Sequence, residues 1–156
     1  MENAKDFKPI SRKLNIILAE DDDDDRLLFQ EAIDELPVSV KLTTFSNGDE
    51  LMEWLRKKTR LPDALFLDLN MPRKNGFAAL GEIKRNTKLQ DLPVIIFSTA
   101  TNNEMIKQVF KDAAHYYIRK PANFWDLKVL MYKSLKIIAD KDLDLPGKES
   151  FMLTTD

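Results

Sequence analysis

Ala64-Leu65-Phe66-Leu67-Asp68-Leu69 sets one carboxylate at the end of an otherwise apolar run. Continuous Ala, Leu and Phe of this kind mark a strand covered by helices on both faces, as in a parallel sheet. Working outward, Leu14–Ala19 (LNIILA) upstream and Val94–Phe97 (VIIF) downstream read the same way. Two further runs complete the set: Val38–Phe45 (VSVKLTTF) and Tyr116–Ile118 (YYI).

Helical spacing fills the intervals. Phe29, Ala32, Ile33 and Leu36 fall at i, i+3, i+4, i+7, and Leu51, Trp54 and Leu55 repeat the pattern after Asn47-Gly48-Asp49. Phe77 and Leu80 open a third stripe, Met105, Ile106, Val109 and Phe110 a fourth, and Phe124, Leu127, Leu130 and Met131 a fifth. Such stripes are core faces. The order is β-α-β-α-β-α-β-α-β-α. Strict alternation argues for a parallel sheet with right-handed crossovers. Five strands favour an α/β, flavodoxin-like, doubly wound sheet of order 2-1-3-4-5.

The 156 residues suit one domain. Residues 1–12 read as a polar arm and 13–139 as the alternating body. Residues 140–156 lose periodicity at Pro146-Gly147 and read as a mobile tail, with docking of Phe151-Met152-Leu153 as the other reading. Charge is high but balanced, with 24 basic against 26 acidic residues, which gives no reason to expect nucleic acid or an anionic membrane as a partner. No cysteine is present, so disulfides, thiolate zinc and cysteine nucleophiles are excluded. A single histidine, His115, excludes HExxH chemistry, and four scattered glycines exclude a P-loop. No run reaches the ~20 apolar residues of a membrane helix, and the N-terminus lacks a signal-peptide core, so a cytoplasmic location is expected.

In doubly wound sheets, ligands sit beyond the carboxyl ends of the strands. Those ends carry Glu20-Asp21, Asp68, Ser98-Thr99 and Lys120-Pro121. Three carboxylates, a hydroxyl and an ammonium would therefore meet at one edge. Oxygen-only donors favour a hard cation, Mg²⁺ or Mn²⁺. Cation, Lys120 and Ser98 could then surround a phosphoryl group, with Asp68, on the middle strand, as its acceptor. Each residue alone has a plainer reading. Asp22 to Asp25 suit helix capping, Ser98 a local hydrogen bond, and Lys120 a surface lysine. Asp21, Asp23 and Asp25 imitate an EF-hand opening, but Arg26 and Ala32 stand where that loop needs Gly and Glu.

ILAEDD (Ile17–Asp22), LFLDLNMPRKNG (Leu65–Gly76), PVIIFST (Pro93–Thr99) and YIRKP (Tyr117–Pro121) together resemble the receiver domain of two-component response regulators. The steps of 30 from Asp68 to Ser98 and 22 from Ser98 to Lys120 match that family's spacing. The resemblance covers residues 13–139 and is closest to stand-alone, chemotaxis-regulator-like members, some paired with bacteriophytochrome kinases. A chemotaxis member is itself a standard example of this fold. The resemblance implies Asp68 as phosphoacceptor and Mg²⁺ held by Glu20, Asp21, Asp68 and the Asn70 carbonyl. It implies Lys120 and Ser98 at the phosphoryl group, Ser98 and Tyr117 as the switch, and a cis Lys120–Pro121 bond. Asn70 and Ala100 take the positions that tune dephosphorylation.

Departures from the pattern are Ser for Thr at 98, the larger Thr99, Ala100, and His115-Tyr116 before the fifth strand. The implied function is a non-enzymatic signalling switch, phosphorylated by a sensor histidine kinase or phosphotransfer protein. It would act on a downstream protein target, or as a homodimer through the fourth helix, fifth strand and fifth helix. Lys107, Phe110, His115, Tyr116 and Trp125 would lie on that surface; His115 reads as exposed, while Phe110 and Trp125 suit core equally. No output domain is expected after the fifth helix. A phosphorylation-independent docking module is the alternative. An Asp-nucleophile phosphatase ranks lower, because Asn70 stands where such enzymes place a second Asp.

Overall fold

In the computed structural model, residues 7–100 and 102–156 are described. The elements run β1 (Ile10–Ala19), α1 (Asp23–Asp34), β2 (Val38–Phe45), α2 (Gly48–Lys57), β3 (Ala64–Leu67), α3 (Gly76–Arg85), β4 (Val94–Ser98), α4 (Asn103–Lys111), β5 (Tyr116–Arg119) and α5 (Phe124–Ala139). The sheet order is β2-β1-β3-β4-β5, with every pairing parallel. Each helix opens on an Asp or Asn side chain that accepts a backbone N–H of the first turn: Asp22, Asn47, Asn75, Asn102 and Asn123. Such caps are worth about 1 kcal/mol each.

Strand alternation divides the core between the two faces of the sheet. Ile17, Leu65, Leu67 and Ile96 meet Leu51, Leu55, Leu80 and Ile83 on the α2–α3 side, where Val109 of α4 and Tyr117 extend the cluster. Ile16, Leu18, Phe66 and Ile95 meet Phe29, Ile33, Leu130 and Met131 of α1 and α5. Phe29 stands edge-on to Phe66 and Phe97, with centroids 5.1 and 5.5 Å away. β3 and β4 are buried at every residue, which is why their sequences carry no alternation.

Several expectations are corrected. β1 begins at Ile10, so residues 10–12 belong to the sheet and not to a polar arm. Ile10 pairs with Val38, Leu14 with Val40, and the register shifts between them. Arg12 is held there by Asp63 at 2.6 Å and by the Ile138 carbonyl at 3.2 Å. Residues 1–6 of that arm lie outside the described residues. The tail does not leave the body: Phe151 is buried, and Tyr117 exchanges backbone hydrogen bonds with Phe151 and Leu153. No cis peptide occurs among the described residues. Lys120–Pro121 is thus trans, the isomer favoured in X-Pro bonds by about 0.5–1 kcal/mol.

His115 is the fourth correction, being 7% exposed instead of lying on the surface. Its N–H donates to the Val94 carbonyl at 2.8 Å, and its Nδ1 accepts from the Val94 N–H at 3.2 Å. Burial, helped by the charge of Lys84 and opposed by a hydrogen bond to the Leu143 backbone, pushes its pKa down to about 4. The unfolded chain therefore binds the proton first as pH falls. Stability supplied by neutral His115 is complete above about pH 6.5 and is lost on descending toward pH 4, by as much as about 3 kcal/mol. Urea titrations of wild type and His115→Gln should show their stability difference shrinking across that window; a pH-independent difference would refute the linkage.

Candidate functional site

Strand register brings the distant carboxylates together. Ala19 pairs with Leu67, so Glu20 and Asp68 emerge side by side, and the Asp68 N–H donates to the Ala19 carbonyl at 3.0 Å. Ser98 pairs with Arg119, and the Lys120 N–H donates to the Ser98 carbonyl at 2.9 Å. Glycine permits the close backing of this edge. A Cβ on Gly76 would lie 2.3 Å from the Asp68 carbonyl oxygen, so only glycine lets α3 start against the Asp68–Leu69 backbone.

Glu20 is fully buried, Asp68 is 4% exposed, and Asp21 faces solvent. One carboxylate oxygen from each lies within 4.8 Å of the others. The Lys120 ammonium touches the Glu20 carboxylate, lies 2.8 Å from Asp25 Oδ2 and 3.7 Å from Asp68 Oδ2. Glu20 Oε2 accepts from the Asp22 N–H at 3.3 Å, while Glu20 Oε1 has the ion-pair contact with Lys120 but no aligned hydrogen bond. Burial, then the adjacent Asp68 carboxylate, pushes the Glu20 pKa up to about 8. Burial works against the Lys120 ammonium, yet the Asp25 and Glu20 carboxylates outweigh it and raise its pKa.

One ammonium thus meets three carboxylates, Glu20, Asp25 and Asp68, with the Asp21 carboxylate beside Glu20 and Asp68. The excess of hard oxygen donors over this single ammonium fits a divalent cation of the Mg²⁺ or Mn²⁺ type. Glu20, Asp21 and Asp68 are the side chains placed to hold it. Asn70 is exposed at the rim, with its N–H donating to Asp68 Oδ1 at 3.3 Å. Ser98 is buried, and its Oγ accepts from the Ala100 N–H at 3.2 Å. Tyr117, also buried, donates from its hydroxyl to the Ala100 carbonyl at 2.8 Å. Both side chains therefore converge on the backbone of Ala100, and Thr99 beside them is exposed.

Of the residues singled out at strand ends, Glu20, Asp21, Asp68 and Lys120 come together here, and Ser98 adjoins them through its backbone bond to Lys120. Asp25 was missed. Asp22 does cap α1, and Asp23 pairs with Arg26, as a capping reading expects. Asp25 instead reaches the pocket. Its signal was positional: Asp25, Phe29 and Ala32 share the i, i+4, i+7 stripe that α1 turns inward.

The model of the response regulator receiver domain matches residues 16–131. The chain belongs to this family. Response regulator Rcp1 of Synechocystis sp. is 30% identical over 117 residues, spanning 72% of this chain and 80% of Rcp1. The phosphorylated cyanobacterial phytochrome response regulator RcpA superposes with a TM-score of 0.74 at 32% identity, covering 87% of this chain and all of RcpA. The Mn²⁺-bound form of Rcp1 superposes at 0.72 with 27% identity, covering 86% and 99%. The receiver domain is accordingly a component of two-component signalling, and no helix among its described residues is long and apolar enough to cross a membrane.

Proposed function

We propose that this receiver domain takes a phosphoryl group onto Asp68 from a phosphohistidine of a sensor kinase or phosphotransfer protein, with Mg²⁺ required. The observation carrying this reading is the shared pocket: a nearly buried Asp68 carboxylate, two further carboxylates within 4.8 Å, and the Lys120 ammonium at 3.7 Å. An Asp68 oxygen attacks phosphorus, the P–N bond to the donor imidazole breaks, and an acyl phosphate forms on Asp68. Glu20, Asp21, Asp68 and the Asn70 carbonyl would hold Mg²⁺, which would supply positive charge against the crowded oxygens. Lys120 stabilises the charge carried by the phosphoryl group, and the Ser98 hydroxyl donates a hydrogen bond to it. Ser98 and Tyr117, meeting at Ala100, then shift a two-state equilibrium of the α4–β5–α5 face. The output is contact with a target protein or a second copy of the chain, not turnover of a substrate. With an alanine at 100, no side chain there directs water onto the acyl phosphate.

The test is intact-mass measurement after incubation with a small acyl phosphate, with and without Mg²⁺. One phosphoryl group is expected per chain, Mg²⁺-dependent and absent from Asp68→Asn; an unlabelled intact protein would favour a docking module. A stability measurement probes the same pocket. Glu20 titrates at higher pH folded than unfolded, so the metal-free protein loses stability from Glu20 as pH rises from about 4.5 through 8. Mg²⁺ should raise the melting temperature more at pH 8 than at pH 5, and Glu20→Gln should flatten the metal-free slope. Equal Mg²⁺ increments at both pH values would contradict the cation site.

A further inference from the structure

The loop of residues 70–75 joins β3 to α3 and carries Asn70 at the rim of the acidic cluster. Its ends are tied together, since the Gly76 N–H donates to the Leu69 carbonyl at 3.1 Å. Within it Met71 is buried, while Pro72, Arg73 and Asn75 are exposed and Arg73 holds a left-handed φ of 67°. The pair between Arg73 and Asp49, both exposed, is 3.8 Å long and adds little. Lys74 ties the loop to both neighbouring helices. Its carbonyl accepts from the Gly48 N–H at 3.1 Å, so close to the start of α2 that a Cβ on Gly48 would overlap that oxygen. Its ammonium meets Glu82 Oε2 on α3. Arg56 of α2 binds the other oxygen, Oε1, at 2.5 Å and so joins α2 to α3 directly. Hydrogen bonds from Lys74, and then from Arg56, hold the Glu82 carboxyl below its usual pKa.

We propose that Glu82 is a positioning residue for the cation site: it holds Lys74, and Lys74 holds the loop so that the Asn70 backbone stays against Asp68. This rests on reading the Glu20, Asp21 and Asp68 cluster as a Mg²⁺ site. Asn70 does not fix the loop itself, because its N–H reaches Asp68 Oδ1 only at 3.3 Å. A loop closed at its ends keeps internal freedom, and a tether at Lys74 removes it before a cation arrives. Groups that orient a metal's ligands act on its affinity without touching the metal. Glu82 and Lys74 are 29% and 25% exposed, so their pair adds little to global stability. Its effect falls on where the loop sits.

The test uses the full, unphosphorylated chain and two measurements. The Gly48 amide lies in the first turn of α2, where no intrahelical acceptor exists, so its hydrogen exchange without metal reports the Lys74 carbonyl. Calorimetric titration with Mg²⁺ reports the cation site. Glu82→Gln and Lys74→Met should each speed Gly48 exchange at least about tenfold. Each should weaken Mg²⁺ binding by about three- to tenfold, with the urea midpoint close to wild type. Arg56→Gln removes the pair that bypasses the loop, and should leave both readings within about twofold of wild type. Wild-type Gly48 exchange and Mg²⁺ affinity in Glu82→Gln would overturn the proposal. So would an Arg56→Gln variant as impaired as Glu82→Gln, which would make the effect one of general packing between α2 and α3. A wild type that binds no Mg²⁺ would remove the cation reading and this proposal with it, whereas a wild type that binds while all three variants match it would remove the proposal alone.

Discussion

Asp68→Asn is expected to accept no phosphoryl group under conditions that label the wild type fully. The amide has nearly the size of the carboxylate, so its place between Glu20 and Lys120 is kept, but its oxygen is neutral and a poor nucleophile. Stability should not fall. Burial raises the Glu20 pKa most, followed by its hydrogen bond to Asp68 and, less, by the Asp68 charge; the substitution removes that buried charge and keeps an amide able to hydrogen-bond Glu20. The expected pair of results is complete loss of labelling with a melting temperature at pH 8 equal to or above wild type. Labelling at wild-type stoichiometry would move the acceptor elsewhere, with exposed Asp21 as the next candidate.

Lys120→Met is expected to slow labelling by about 10²–10³, the usual cost of removing one preorganised group that stabilises developing charge. The ammonium is 11% exposed and touches Glu20, Asp25 and Asp68, so methionine fills the stem's volume without the charge. Glu20 and Asp68 would then repel with nothing between them, and Glu20 would hold its proton to still higher pH. A protonated Glu20 is a weaker cation ligand, so the defect should deepen further as Mg²⁺ is made limiting. Single-turnover labelling from pH 6 to 8, at saturating and at limiting Mg²⁺, checks it. A rate within threefold of wild type at every pH would remove Lys120 from the reaction.

The sheet was legible because buried parallel strands have no polar face. Ala64–Leu67 and Val94–Ser98 could hardly be anything else. The cluster was legible for a related reason: Asp68 is a charge closing an apolar run, where it needs a partner, whereas Lys120 alone reads as a surface lysine and gains meaning from the shared strand edge. What escaped lay where two physical demands overlap. Ile10 stands alone among polar residues, and its strand alternation is interrupted by the register shift before Leu14. Asp25 satisfies the first turn of a helix as well as the pocket, and the first reading hid the second. His115 is buried by its exchange with Val94 at the start of β4, a pairing 21 residues away that no local pattern carries. Phe151 is covered by Phe110 and Tyr117, so its role depends on the edge left open by a sheet that stops at five strands.

The order in which the pocket's charges are made on the chain has a consequence for biosynthesis. Glu20, Asp25 and Asp68 are all synthesised before the ammonium that joins them, which follows β5. A polypeptide ending at β4 would lack the Lys120 ammonium for these carboxylates. Docking of the last crossover therefore closes the hydrophobic layers and offsets part of the anionic charge in one event.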